Sequence, residues 1–539
     1  MTRWAMIADL NRCVGCQTCT AACKHTNATP PSVQWRKVLD FEVGEYPDVR
    51  RTFVPVGCNH CIDPPCMHVC PSSATKKRPD GIVTIDYDLC IGCAYCAVAC
   101  PYQARYKVDK PKFAYGKERM SNEAAREDPH RLGVAQTCTF CVDRIDDGLA
   151  RGLTPGVDPE ATPACVTSCI ADALHFGDQD DPESNVSHLL RDNKNFSMHT
   201  ELGTQPGFHY LWDKADRPEI KPKVSSARED LKPVAKPFPA GPEGAMPGVA
   251  PWLQQHWDWR AAGNFMAGGA GTGLALFAAV ATLFGASFTL TGLLSLAFVG
   301  AGLFCVWLEI GRPWRFLNVL INPWTSWMTR EAMVSAPLFA VGLAAVWFDT
   351  AWLAVIAAAI GLVFMYCQAR IVHGGKGIPA WREDRVIPLL VVSGLAEGGG
   401  LFLVAGLFLP ELAAMAPVAA GAVLVLVAIR LWAWMSYFAA LDRGGAPRGT
   451  LDVFRRLKTP LILGGHVIPA ILLVLGLVLE PVAQPGFVLG GLLTFAGGWV
   501  FKFALITRAA YNQGFAILHT PARGAGTPGV GAKPGWVVR

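Results

Sequence analysis

Sixteen of the eighteen cysteines in this 539-residue chain fall in four tandem groups near the N-terminus. They read Cys13-x2-Cys16-x2-Cys19-x3-Cys23; Cys58-x2-Cys61-x4-Cys66-x3-Cys70-Pro71; Cys90-x2-Cys93-x2-Cys96-x3-Cys100-Pro101; and Cys138-x2-Cys141 followed by Cys165-x3-Cys169. An x2 spacing lets one tight loop aim three thiolates at a single iron–sulfur cluster. The cysteine three residues further on leaves that loop and reaches a neighbouring cluster. Sixteen thiolates therefore match four [4Fe-4S] cubanes. A structural zinc is closed by two CxxC pairs rather than by a run with a fourth cysteine and then proline. Disulfides belong to small exported scaffolds, and Met1 to Leu10 has no apolar export segment, so this half is expected in a reducing compartment.

The composition changes abruptly near the middle of the chain. Up to about Trp212 it is polar and dense in Cys, Pro, Asp and Arg. From Phe265 it becomes a series of apolar runs, so the overall hydrophobic share of 51% averages a soluble half and a membrane half. Between them, Arg217 to Pro251 is rich in Pro, Lys and Glu and has neither helical nor strand periodicity, as a linker or strap would. The Gly, Pro and Ala content after His519 predicts a disordered or draped tail. A net charge of +5 with no basic, aromatic-laced stripe argues against nucleic acid.

About eight segments are long and apolar enough to cross a bilayer: Phe265–Phe284, Phe288–Leu308, Met333–Phe348, Trp352–Val372, Val386–Leu409, Leu412–Phe438, Ile462–Leu479 and Phe487–Ile506. Glycines such as Gly268, Gly269, Gly271 and Gly273 suit close helix packing in lipid. Lys and Arg gather in alternate connections: Arg312, Arg315 and Arg330; Arg370, Lys376, Arg382 and Arg385; Arg443, Arg448, Arg455, Arg456 and Lys458. The other connections have none, so the basic loops and both termini are expected on the cytoplasmic side of the inner membrane.

Each charge inside a membrane raises a functional question. Glu309 and Glu331 flank Arg312 and Arg315 at the cytoplasmic ends of the second and third spans, where a quinone would find hydrogen-bond partners and a proton carrier. An anchoring Glu309–Arg312 ion pair is the plainer alternative. Glu397 in the fifth span and Arg430 in the sixth lie deeper and are expected to pair across the bundle; Lys502 and His466 are similarly placed in the last two spans, and a proton path is the alternative to a structural ion pair. The few membrane histidines offer no convincing axial pair, so no haem is expected.

Taken together, these residues resemble a known family. Met1 to Gly177, with the signature Cys58-Asn59-His60-Cys61-Ile62-Asp63-Pro64-Pro65-Cys66, is similar to the four-cluster electron-transfer subunit of molybdopterin enzymes of the dimethyl sulfoxide reductase type. From Phe265 the chain looks like their eight-helix anchor, a relative of polysulfide reductase anchors, chiefly through Leu308–Asn318 and Ser326–Glu331. The resemblance implies an α+β chain: a double ferredoxin-like iron–sulfur domain (1–216), a Pro-rich linker (217–260), an all-α bundle of about eight transmembrane helices with a quinone site (261–508) and a tail (509–539).

The resemblance also implies that cysteines are exchanged between groups. Cys13, Cys16, Cys19 and Cys169 would hold the cluster nearest the catalytic subunit, followed by Cys138, Cys141, Cys165 and Cys23. Then come Cys58, Cys61, Cys66 and Cys100, with Cys90, Cys93, Cys96 and Cys70 nearest the membrane. The family's histidine–glutamate quinone pair would fall on Glu309 and Glu331, with Glu309 replacing the histidine. The expected function is electron relay between a large molybdenum bis-pterin catalytic subunit and ubiquinone or menaquinone, with oxidation of a sulfite-type or aromatic acyl-CoA-type donor. Quinol oxidation by a dimethyl sulfoxide, polysulfide or tetrathionate type of reductase is the alternative; a proton-translocating module and a mere tether are further ones. Nothing in the chain suggests a pterin site of its own.

Overall fold

The computed structural model describes residues 2–31, 33–43, 49–111, 113, 120–121, 128–216, 248–521 and 529–536. It divides into two units, Met1–Trp252 with Gln513–Arg539, and Leu253–Asn512.

In the first unit, strand Trp4–Asp9 is apolar on both faces, and all of it but Asp9 is buried. It sits inside a four-stranded sheet in the order Leu174–Asp178, Trp4–Asp9, Phe208–Lys214, Asn193–Phe196. Its pairing is parallel to Phe208–Lys214 and antiparallel to Leu174–Asp178. Small hairpins complete the unit, among them Lys37–Val43 with Arg50–Val56 and Thr75–Lys77 with Val83–Ile85. The helices after the cysteine loops are short, such as Thr18–Thr26 and Tyr95–Ala99. Cysteine side chains take the place of much of an aliphatic core.

Residues 522–528 and 537–539 of the expected tail lie outside the described residues, and its Gly529–Ala532 forms a strand. Phe515 and Ile517 are buried in the first unit's core, and Ile517–Thr520 pairs antiparallel with Gly529–Ala532. His519 stacks on Trp212 with ring centroids 4.2 Å apart. The apolar run Phe515-Ala516-Ile517-Leu518 is enough to anchor the segment despite the glycines and prolines around it. The Pro-rich linker falls mostly at 217–247, outside the described residues.

The second unit is all-α. Among the described residues, eight helices are long and apolar enough to cross a membrane: Trp259–Thr282, Thr289–Glu309, Trp327–Phe348, Ala351–Gly374, Val386–Ala405, Ala416–Gly445, Arg448–Val478 and Glu480–Thr507. Several starts differ from expectation, the first at Trp259 rather than Phe265 among them. The third span begins at Trp327, so Arg330 and Glu331 lie inside the helix rather than before it. The seventh begins with an amphipathic stretch from Arg448, whose polar face hid it from a search for apolar runs. Large side chains face outward, as in a bundle bathed in lipid: Trp314, Trp324, Trp347 and Trp352 are all exposed at helix ends.

Candidate functional site: sixteen thiols and a buried carboxylate

Each cysteine group turns at a residue held in the left-handed region just before its second cysteine: Gly15 (φ 73°), His60 (φ 40°), Gly92 (φ 73°) and Phe140 (φ 55°). Such a residue reverses the chain, so that the thiols before and after it point to one side. Glycine adopts this region freely, whereas a side chain is strained there. His60 and Phe140 are held by each other, their rings 3.7 Å apart, and His60 Nδ1 accepts from the Val83 amide at 2.9 Å. Sequence reading singled out none of these four turn residues; Gly15 and Gly92 were the available signal, and the second and fourth groups carry no glycine at that point.

The thiols assemble into four neighbourhoods drawn from different groups. Cys13, Cys16, Cys19 and Cys169 line one cavity, together with Val38, Pro55 and Leu174. Cys23 lies within electrostatic reach of Cys165 and Cys141, and Cys138 within reach of Cys23 and Cys165. Cys61 faces Cys58, Cys66 and Cys100. Cys96 faces Cys90, Cys70 and Cys93. Electrostatic reach between neighbourhoods runs in sequence: Cys19 to Cys165, Cys138 to Cys58, and Cys66 to Cys70.

This disposition fits a cubane better than a single ion. Among the described residues, no three His, Cys, Asp or Glu side chains converge as one metal ion would require; Cys13, Cys16, Cys19 and Cys169 line a cavity instead. Burial pushes Cys19 up to about 11 and both Cys23 and Cys100 up to about 12. So many crowded, desolvated thiols become thiolates only against iron. Two thiols go the other way: hydrogen bonding by Thr18 lowers Cys16, and Cys58 falls too. Burial raises Cys58, but the His60 ring and the Arg105 guanidinium outweigh that and bring it to about 6. The cysteines also accept hydrogen bonds from the amides of Thr75 (to Cys70, 3.5 Å), Ala135 (to Cys90, 3.5 Å) and Ala173 (to Cys169, 3.2 Å).

In the membrane unit, Glu331 is buried, and its Oε1 accepts from Asn264 Nδ2 at 3.0 Å and Gln368 Nε2 at 3.1 Å. Neither amide was singled out from sequence, because the three residues lie on three separate spans. Gln368 fits because Gly268 has no side chain; a Cβ there would collide with the carboxamide. Glu309 is buried as the last residue of the second span, while Arg312 and Arg315 lie just beyond it at the start of a 3-10 segment. The deeper charges pair differently from expectation. Glu397 bonds Lys502 at 2.8 Å rather than Arg430. Arg430 instead donates to His466 Nε2 (3.2 Å) and to the carbonyls of Thr494 (2.9 Å) and Gly465 (2.5 Å). A widened π-helical turn at Leu463–Val467 brings His466 and the Gly465 carbonyl together around Arg430.

A cysteine-cored α+β unit carrying cubane-spaced thiols, joined to eight membrane-length helices, defines a membrane-borne iron–sulfur electron carrier. Residues 49–117, which contain the second and third cysteine groups, match the 4Fe-4S dicluster domain family. The chain is 40% identical over 225 residues to a selenate reductase subunit of Mesobacillus selenatarsenatis, covering 39% of this chain and 72% of that one. It is 36% identical over 239 residues to a sulfite dehydrogenase subunit of Allochromatium vinosum (41% and 88%), and 37% identical over 213 residues to a tetrathionate reductase subunit of Salmonella typhimurium (39% and 72%). The chain belongs to the family of iron–sulfur subunits of dimethyl sulfoxide reductase-type oxidoreductases. It is thus an electron-transfer subunit of an oxidoreductase complex, with a multi-pass membrane region in the same chain.

Proposed function

We infer that the chain carries electrons between a molybdopterin catalytic subunit and membrane quinone through four [4Fe-4S] clusters, with the iron–sulfur unit on the cytoplasmic side. The observation that carries this reading is the order of the thiol neighbourhoods, in which each lies within electrostatic reach of the next. Bound there, each cubane takes up and releases one electron at a time. The chain's own residues do the rest. The four sets implied by the resemblance (Cys13, Cys16, Cys19, Cys169; Cys23, Cys138, Cys141, Cys165; Cys58, Cys61, Cys66, Cys100; Cys70, Cys90, Cys93, Cys96) hold the iron, and the surrounding core keeps water away. Cys16, Val14 and Ile170 are exposed beside the first set, which favours electron exchange with a partner there.

Glu331 is the group proposed to serve quinone. Both amides converge on its Oε1, which fixes the carboxyl and leaves Oε2 to hand a proton to a quinone oxygen. Glu309, Arg312 and Arg315 are proposed to complete that site. The one-sided basic loops and an even number of spans support a cytoplasmic position for both terminal segments. That position favours oxidation of an internal donor, of the sulfite or aromatic acyl-CoA type, with quinone as acceptor.

The test uses the anaerobically purified complex. Glu331→Gln is expected to abolish quinone reduction by the donor-reduced complex while all four cluster signals persist by EPR. Retention of quinone reduction would overturn the site. A complex that oxidised quinol but never reduced quinone would reverse the direction of flow.

A further inference from the structure

Two arginines in the iron–sulfur unit are buried with no ion pair to a carboxylate among the described residues. Arg36 is 0% exposed and Arg105 is 4% exposed. A buried cation costs several kcal/mol unless it is paired, so each must answer a negative charge. The charges that act on them most strongly are thiols: Cys165, Cys138, Cys19 and Cys23 around Arg36, and Cys66, Cys96, Cys58 and Cys100 around Arg105. Each set spans two neighbourhoods, the first and second for Arg36, the third and fourth for Arg105.

The local geometry holds each guanidinium in place. Arg36 lies 4.9 Å from the centre of the Phe208 ring, and its Nη2 donates to Met6 Sδ at 2.8 Å, while Nε and Nη1 have no partner among the described residues. Gly57 leaves the space, since a Cβ there would come within 3.1 Å of Nη1. Arg105 donates from Nη2 to Cys66 Sγ at 3.1 Å and from Nη1 to Thr75 Oγ1 at 3.3 Å. A cubane with four thiolates is a net anion that becomes more negative on reduction. A fixed cation beside it therefore favours the reduced state.

On the reading that these thiols hold cubanes, we propose that Arg36 and Arg105 are positioning charges that raise the reduction potentials of the clusters on either side of them, Arg36 for the first pair and Arg105 for the second. The relay is thereby divided into two electron-holding pairs with an arginine inside each. The rings of His60 and Phe140 stand at the step between the pairs, beside Cys58 and Cys138.

The experiment is an EPR-monitored redox titration of the purified complex. Arg36→Gln should lower the midpoints of two clusters by about tenfold in the reduction equilibrium, roughly 59 mV for one electron, and leave the other two unmoved. Arg105→Gln should shift the complementary pair, and the lysine variants should retain most of each potential. Because loss of Arg36 also tests assembly, Met6→Glu and Met6→Gln form a second comparison with Arg36 intact. Only the glutamate neutralises the guanidinium, so only it should lower the first pair. Full iron content with all four midpoints unchanged in Arg36→Gln and Arg105→Gln, or equal midpoints in the two Met6 variants, overturns the proposal. Wild-type protein without iron would instead defeat the cluster reading itself.

Discussion

Replacing Lys502 by methionine isolates one buried charge in the membrane bundle. Lys502 Nζ donates to Glu397 Oε2 at 2.8 Å and to the Phe265 carbonyl at 3.1 Å, with the two side chains 2% and 0% exposed. At that separation, an effective dielectric constant of about 20 gives an attraction of about 6 kcal/mol, much of it offset by desolvation of both ions. Removing the ammonium alone strands the Glu397 carboxylate in tight packing against Gly498. The expected loss is about 3–5 kcal/mol. The double variant Lys502→Met with Glu397→Leu removes both charges and should regain most of it. The assay is the midpoint of heat-induced unfolding in detergent, where Lys502→Met should fall by roughly 10 °C. A single variant as stable as wild type, or a double variant no more stable than the single, would refute the argument.

Three further outcomes are expected. Cys169→Ser should lower iron by about a quarter and remove the same cluster spectrum that Cys13→Ser removes, because Cys169 lines one cavity with Cys13, Cys16 and Cys19. Gly268→Val should push the Gln368 carboxamide from Glu331, removing a hydrogen bond to a charged group worth about 1.5–3 kcal/mol, and so slow quinone turnover by about tenfold or more with iron content unchanged. His209 is pushed down to about 4, first by burial and then by Arg3. Its neutral form therefore contributes stability that is complete above pH 6.5 and lost as pH falls through 4, at most about 3 kcal/mol. Acid-induced iron release should steepen across that window, and His209→Gln should flatten it.

The parts legible in the sequence are those set by neighbours along the chain. Cys13, Cys16 and Cys19 lie three residues apart, so one loop must bring them together, and about twenty apolar residues in a row must find lipid or a core. The seventh span shows the limit of this logic. Its first half, Arg448–Ile462, is amphipathic, and composition alone placed the helix start fourteen residues too late. The tail shows another limit, because Phe515 and Ile517 are buried by a surface that no local window contains.

By itself, then, the sequence determined that this chain carries clustered thiols and crosses a membrane, since thiolate spacing and apolar run length act over a few residues. Only the tertiary structure decided which thiols share a neighbourhood, that Arg36 and Arg105 lie among them, that Glu331 answers to Asn264 and Gln368, and that Glu397 chooses Lys502. Those choices join residues from 30 to more than 100 positions apart. Burial makes them selective: out of water, a charge or a strained loop persists only where the fold supplies its partner.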